Sequence, residues 1–244
     1  MTSSETEQSQ IRWARLAGFM YLFVDVAYVL GMLITSHFQV PGSFAETAHK
    51  IMGSEMLYRI GLSSVLTGAL CTVFLAMGLY VAVKPIDKNL ALLALVFRLA
   101  EATLFGVVSI FGFTALGLYI GADSMNAFDA KQLLVLVKLS SDAGSAGLYI
   151  APLFFSLGSI LFFYLFLKSN YIPKVLSALG LFGSVLLPIV CFGYLILPQY
   201  AGMLQFGLWP VAIAEVLVGL WLLFKGVNVQ PWKEQAGAAG EWQS

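Results

Sequence analysis

Residues Leu90 to Tyr119 read LALLALVFRLAEATLFGVVSIFGFTALGLY. About 20 apolar residues are enough to cross a bilayer core, and this run is longer. Only two ionisable residues interrupt it, Arg98 and Glu101. They stand three apart, so a helix puts them on one face, one turn from each other. A charge at that depth is costly unless it is paired or lines a polar cavity. The stretch therefore predicts a transmembrane helix carrying its own ion pair, with the rest of the protein arranged around it.

The remainder of the chain agrees. Of its 244 residues, 59% are hydrophobic and 11% charged, whereas soluble domains carry roughly 25% charged residues. The mean hydropathy is +0.87. This length suits one all-α polytopic membrane domain, six transmembrane helices in a single bundle. The formal net charge is zero, and no cluster of Lys and Arg marks a nucleic-acid surface. Cys71 and Cys191 fall inside apolar runs without redox or metal spacing and read as small buried residues. The start, MTSSETEQSQ, lacks the basic beginning of a cleaved signal peptide, so the first apolar run reads as a retained span.

Six spans follow: Trp13–Ile34, Leu57–Val83, the stretch quoted above, Leu148–Leu167, Val175–Leu197 and Leu204–Phe224. Residues 1–12 and 226–244 are polar and expected to be disordered, leaving 13–225 as the membrane domain. Pro188 should kink the fifth span. Residues 131–142 set Lys131, Lys138 and Asp142 on one helical face with leucines opposite. They read either as a short helix lying in the interface or as an extension of the fourth span. Six spans put both termini on one side, together with Arg12, Arg15, Lys84, Lys88, Lys168, Lys174, Lys225 and Lys233. The other side holds Lys50, Arg59, Lys131 and Lys138. That asymmetry predicts cytoplasmic termini.

Charges inside the spans fall at one depth. Counting from the basic residue at the near end of each span, Asp25, Arg98 and Glu215 are each ten residues in and Glu101 thirteen. At ~1.5 Å per residue they lie about 15–20 Å deep, in one slab near the bilayer midplane. Asp25, Arg98, Glu101 and Glu215 are therefore the candidate ligand-binding or proton-coupling residues. Three acids face one base, so one carboxyl is expected to hold a proton or meet a cation. Spacing pairs Glu101 with Arg98 and leaves Glu215, on the longer side chain, as the expected proton carrier.

Three readings fit. Arg98 bridges two carboxylates and staples the spans; or the slab is a midplane site that binds or translocates a small molecule or ion; or paired carboxylates serve an intramembrane enzyme on a lipid-like substrate. No nucleophile motif, HExxH or Asp-rich diphosphate site is present, so no catalytic residue is assigned. His37, His49 and Glu46 read as solvated loop residues, and no span interior holds a histidine for haem. Neither metal nor cofactor is expected, and the partner is the lipid bilayer. The midplane ligand site is the leading reading, with a structural or regulatory subunit as a further alternative.

Three features carry a family resemblance: Arg15-Leu-Ala-Gly18, the Arg98–Glu101 pair, and the segment LFLKSNYIPKVL from Leu165 to Leu176. They resemble the bacterial and archaeal domain-of-unknown-function family 4386, over about Arg15 to Gly226, with the Ser-x-Tyr-Ile-Pro turn the most specific part. The resemblance implies a multi-pass fold in a prokaryotic inner membrane. It implies no activity, so it adds no site residue.

Overall fold

The computed structural model describes residues 3–40, 43–121, 130–228 and 230. Eight α-helices account for most of them: α1 (Ser3–Phe38), α2 (Phe44–Gly53), α3 (Glu55–Val83), α4 (Lys88–Ile120), α5 (Ala130–Ser169), α6 (Lys174–Ile196), α7 (Ala201–Leu204) and α8 (Trp209–Phe224). The one-turn α7 sits between two 3-10 turns that lead into α8, and no strand occurs among the described residues. Six segments are long and apolar enough to cross a membrane, one in each of α1, α3, α4, α5 and α6, and the last from Gly202 to Phe224.

The spans form a closed ring. α1 packs on α3, α3 on α4, α4 on α5, α5 on α6 and α6 on α8, and α8 returns to α1. Short connections force sequence neighbours to lie antiparallel and side by side. Both chain ends of the bundle, with the α3–α4 and α5–α6 turns, are at one end, called here the near end. The far end carries α2 and the segment before α8.

Two segments extend helices beyond the expected spans. The polar residues before Trp13 are helical from Ser3, where their composition suggested disorder. They contain neither Gly nor Pro, and lengthening an existing helix adds one hydrogen bond per residue without a new nucleus. Residues 131–142 continue α5, which runs unbroken for 40 residues. Their apolar face meets protein: Leu133 and Val137 are buried, Val137 in a cluster with Leu116 and Tyr119 of α4. The Ser140 hydroxyl also donates to the Phe111 carbonyl of α4 at 2.9 Å. α5 and α6 pass through Pro152 and Pro188 as single helices. Most of the expected disordered tail, 231–244, lies outside the described residues.

The near half is solid. Leu75, Leu79, Phe162, Phe163, Phe166 and Val218 belong to one buried cluster there. The Ser-x-Tyr-Ile-Pro turn closes its base. Asn170 takes a left-handed conformation (φ 58°) that ends α5 and turns Tyr171 and Ile172 inward, where they are 0% and 2% exposed. Ser169 accepts from the Tyr171 N–H at 3.3 Å, and the Asn228 N–H donates to the Tyr171 carbonyl at 2.8 Å. The tail is thus tied beneath the bundle. At the neighbouring turn, Asp87 caps α4 by accepting from the Asn89 and Leu90 N–H groups, both at 3.0 Å.

α1 and α8 touch backbone to backbone in this half. A Cβ added at Gly18 would sit 2.7 Å from the Gly219 carbonyl oxygen and 2.8 Å from the Leu222 carbonyl carbon, and closer still to the Leu223 nitrogen. Backbone cannot yield as a flexible side chain can. Gly18→Ala is expected to lower unfolding free energy by about 1–3 kcal/mol, read as a lower melting temperature in detergent. An unchanged melting temperature would mean that α1 and α8 do not meet there.

Candidate functional site

Above the solid half lies a partly open cavity of about 230 Å³ reached by side chains from α1, α4, α5, α6 and α8. Asp25, Arg98, Glu101 and Glu215 all line it. Three separate spans thus bring four ionisable side chains to one space, at the depth that their sequence positions indicate. Arg98 and Glu101 form its buried floor, 1% and 2% exposed. Asp25 and Glu215 are half-buried on either side of the α1–α8 seam, two turns beyond Gly18 and one turn beyond Gly219 respectively. The small residues bring the two helices together below, and the carboxyls occupy the space above.

Arg98 has four contacts. Its Nη1 lies 3.1 Å from Glu101 Oε2, the ion pair of one helical turn. The same Nη1 donates to Ser159 Oγ of α5 at 3.5 Å. Its guanidinium carbon stands 4.5 Å over the Phe155 ring, a cation–π contact that strengthens when water is absent. Its aliphatic stem rests on Gly158, where an added Cβ would lie 2.9 Å from Arg98 Cγ and 3.1 Å from the Ala94 carbonyl oxygen. Phe155, Gly158 and Ser159 share one face of α5 by their spacing. Among the described residues, Glu101 is the only carboxylate within ion-pair distance of Arg98. The arginine therefore does not bridge carboxylates from different spans, because α5 holds its guanidinium against α4.

Gly158→Ala should push the arginine stem aside. The expected cost is about 1–3 kcal/mol of stability, read as a lower detergent melting temperature. A variant that melts like the parent would show that the stem does not lie on Gly158.

Several polar atoms here lack a hydrogen-bond partner. Among the described residues they are Asp25 Oδ2, Tyr28 Oη, Arg98 Nε and Glu101 Oε2; the last sits beside Arg98 Nη1 without hydrogen-bond alignment. Buried polar atoms are nearly always satisfied, so four orphans round one cavity need a reason. The carboxyls of Asp25 and Glu215 also act on each other electrostatically. The three acids do not converge into a metal-holding group: no such cluster of His, Cys, Asp or Glu occurs among the described residues. Thus Arg98 has a counter-charge, whereas Asp25 and Glu215 line the cavity with no ion-pair partner among the described residues.

The α5 residues that hold Arg98 were not picked out from sequence. A phenylalanine in an apolar span carries no signal by itself. The Gly158-Ser159 pair, three and four residues after Phe155, is the only local hint of a polar contact on that face. Tyr28 and Phe105, which form the cavity's far wall, were equally silent among 19 Phe and 10 Tyr. His37, His49 and Glu46 stand on helices where a loop was expected, His37 in the last turn of α1 and the other two in α2, and none lines this cavity.

A family model described as Domain of unknown function (DUF4386) matches residues 16–226. No curated protein and no solved structure matches the chain.

Proposed function

The chain belongs to the DUF4386 family of multi-pass membrane proteins, and from its charged cavity we propose that it binds a small organic cation at the bilayer midplane. One observation carries this reading: orphaned polar atoms on Asp25, Tyr28, Arg98 and Glu101, residues that line a single cavity shared with Glu215. A purely structural ion pair would be expected to satisfy its own atoms. Arg98 is already balanced by Glu101, so the two remaining carboxyls favour a positively charged guest. At about 230 Å³ the space is smaller than the ~300–1,000 Å³ of drug-sized sites, which favours a compact ligand. Its aromatic walls, Tyr28, Phe105 and Phe155, suit an organic ion with an apolar part. Exchange is with the far side, because the near half is filled by side chains. Passage across the membrane would need that half to open.

The test uses three molecules with one ring and different heads. Benzylammonium should raise the melting temperature of the purified protein in a concentration-dependent way, as any ligand selective for the native state does. Benzoate and benzyl alcohol should not. Equal shifts from all three, or none from any, would defeat the reading.

The orientation follows from the basic residues, and we place the near end in the cytoplasm of a prokaryotic cell. Reporter fusions after Lys88, Lys174 and Gly226 should read cytoplasmic, and one after Gly121 should read external. The opposite pattern would invert the membrane face from which the cavity exchanges.

A further inference from the structure

A second cavity, of about 390 Å³, lies in the far half of the ring between α1, α3, α4 and α5. Helix register stacks it on the charged one. Tyr28 and Phe105 line the charged cavity. Met32 and Ser109, one turn further along the same two helices, line the second. On α5, Pro152 belongs to the first and Leu148 to the second. At the junction of the two levels Tyr28 and Phe105 meet, with centroids 4.7 Å apart and planes inclined by 36°. Rings at that distance are in contact and leave no passage between them.

The far cavity has no Lys, Arg, Asp or Glu among its lining residues. Its polarity comes from hydroxyls and the Gln39 amide, whose Nε2 donates to Tyr58 Oη at 3.4 Å, and four of the hydroxyls have already donated their proton to a helix carbonyl. Thr35 donates to Gly31 at 2.8 Å, Ser36 to Leu33 at 3.1 Å, Ser109 to Phe105 at 3.0 Å and Ser140 to Phe111 at 2.9 Å. A hydroxyl whose proton is engaged has only lone pairs left to offer. Pro152 adds another acceptor at the junction, since it has no N–H for the Leu148 carbonyl one turn back. A cavity rich in acceptors, leading towards two carboxyls, selects a guest that donates hydrogen bonds and carries positive charge.

We propose that the far cavity is the access site of the midplane cavity for a primary organic ammonium ion, with the Tyr28–Phe105 ring pair as the barrier between the two. This rests on the reading that the charged cavity takes a cation, and adds the route and the donor-bearing class. The ammonium would exchange water for the hydroxyl oxygens first. It would then pass the rings, whose negative faces attract cations, and reach Asp25 and Glu215.

A midplane cysteine reports the route without requiring ligand binding. Val24 lines the charged cavity, so Val24→Cys is placed in a Cys71→Ala, Cys191→Ala background and the protein reconstituted in vesicles. The 2-aminoethyl methanethiosulfonate cation should modify it about tenfold or more faster than the 2-sulfonatoethyl anion, and faster than the trimethylammonium analogue, which cannot donate. Gly144 lines the far cavity, and a Cβ there meets only Phe111 at 3.6 Å, so Gly144→Leu fills the space without forcing the backbone. It should cut the cation's rate about tenfold, with Ser141→Leu as a second plug, and Phe105→Ala should raise it. Equilibrium binding of benzylammonium to the plugged variants should stay within about twofold of the parent, since the midplane contacts remain. An unchanged labelling rate in both plugged variants overturns the route even where benzylammonium still binds. Equal rates for cation and anion overturn the acceptor selectivity. Absence of benzylammonium binding in the unplugged protein defeats the underlying cation reading instead.

Discussion

Arg98→Ala should lower the unfolding free energy by about 3–5 kcal/mol, the cost of breaking a buried ion pair from one side. Arg98 and Glu101 are 1% and 2% exposed, so neither charge can turn to bulk solvent when its partner is lost. Truncation also removes the donor to Ser159 and the guanidinium over the Phe155 ring, and leaves a gap against Gly158 that α4 and α5 must close around. Arg98→Lys keeps the charge but loses the planar fork that serves Glu101 and Ser159 together, so it should fall between the parent and the alanine variant. Unfolding in mixed micelles measures all three. An alanine variant as stable as the parent would show that the pair does not hold the bundle together and that Glu101 is not left with an unbalanced charge.

Replacing Asp25 by Asn and Glu215 by Gln together should abolish cation binding while leaving the fold in place. Each amide matches its acid in size, so packing along the α1–α8 seam is retained, and the close contact at Gly18 lies below both. What disappears is the pair of carboxyl groups on the cavity wall that would meet the guest's charge. A hydrogen bond to a charged group is worth about 1.5–3 kcal/mol, so each lost carboxylate should weaken benzylammonium about 10- to 150-fold. The double variant should fall beyond detection in calorimetric titration, with each single variant between. A double variant that binds benzylammonium within twofold of the parent would remove both carboxyls from the site. One that unfolds outright would give them a structural role in place of a binding one.

The two sets of variants separate two kinds of charge in one cavity. The Arg98–Glu101 pair belongs to one helix and is gripped by the next, so its loss is felt in stability. Asp25 and Glu215 lie above the close α1–α8 contact at Gly18 and Gly219, so their loss is felt by the guest. A charge inside a membrane is retained for structure or for function, and here the distinction follows from which helix supplies the partner.

The sequence alone determined the membrane class, the six spans and the common depth of Asp25, Arg98, Glu101 and Glu215. Each of these depends on hydropathy and on ~1.5 Å of rise per residue, which are properties of the chain taken one helix at a time. It also determined the Arg98–Glu101 pair, because residues three apart on a helix are neighbours whatever surrounds them. Three matters were decided only by tertiary structure. The extent of α5 was one: Val137 found α4 to pack on and Leu133 is buried, where amphipathic pattern alone also permitted a helix in the interface. The second was the hold on Arg98 by Phe155, Gly158 and Ser159, residues too ordinary in an apolar span to announce a role. The last was the division of the ring into a solid near half and a hollow far half. Space inside a bundle is set by how side chains from different helices interdigitate. Periodicity states which face of a helix turns inward, but not whether anything fills the space it meets.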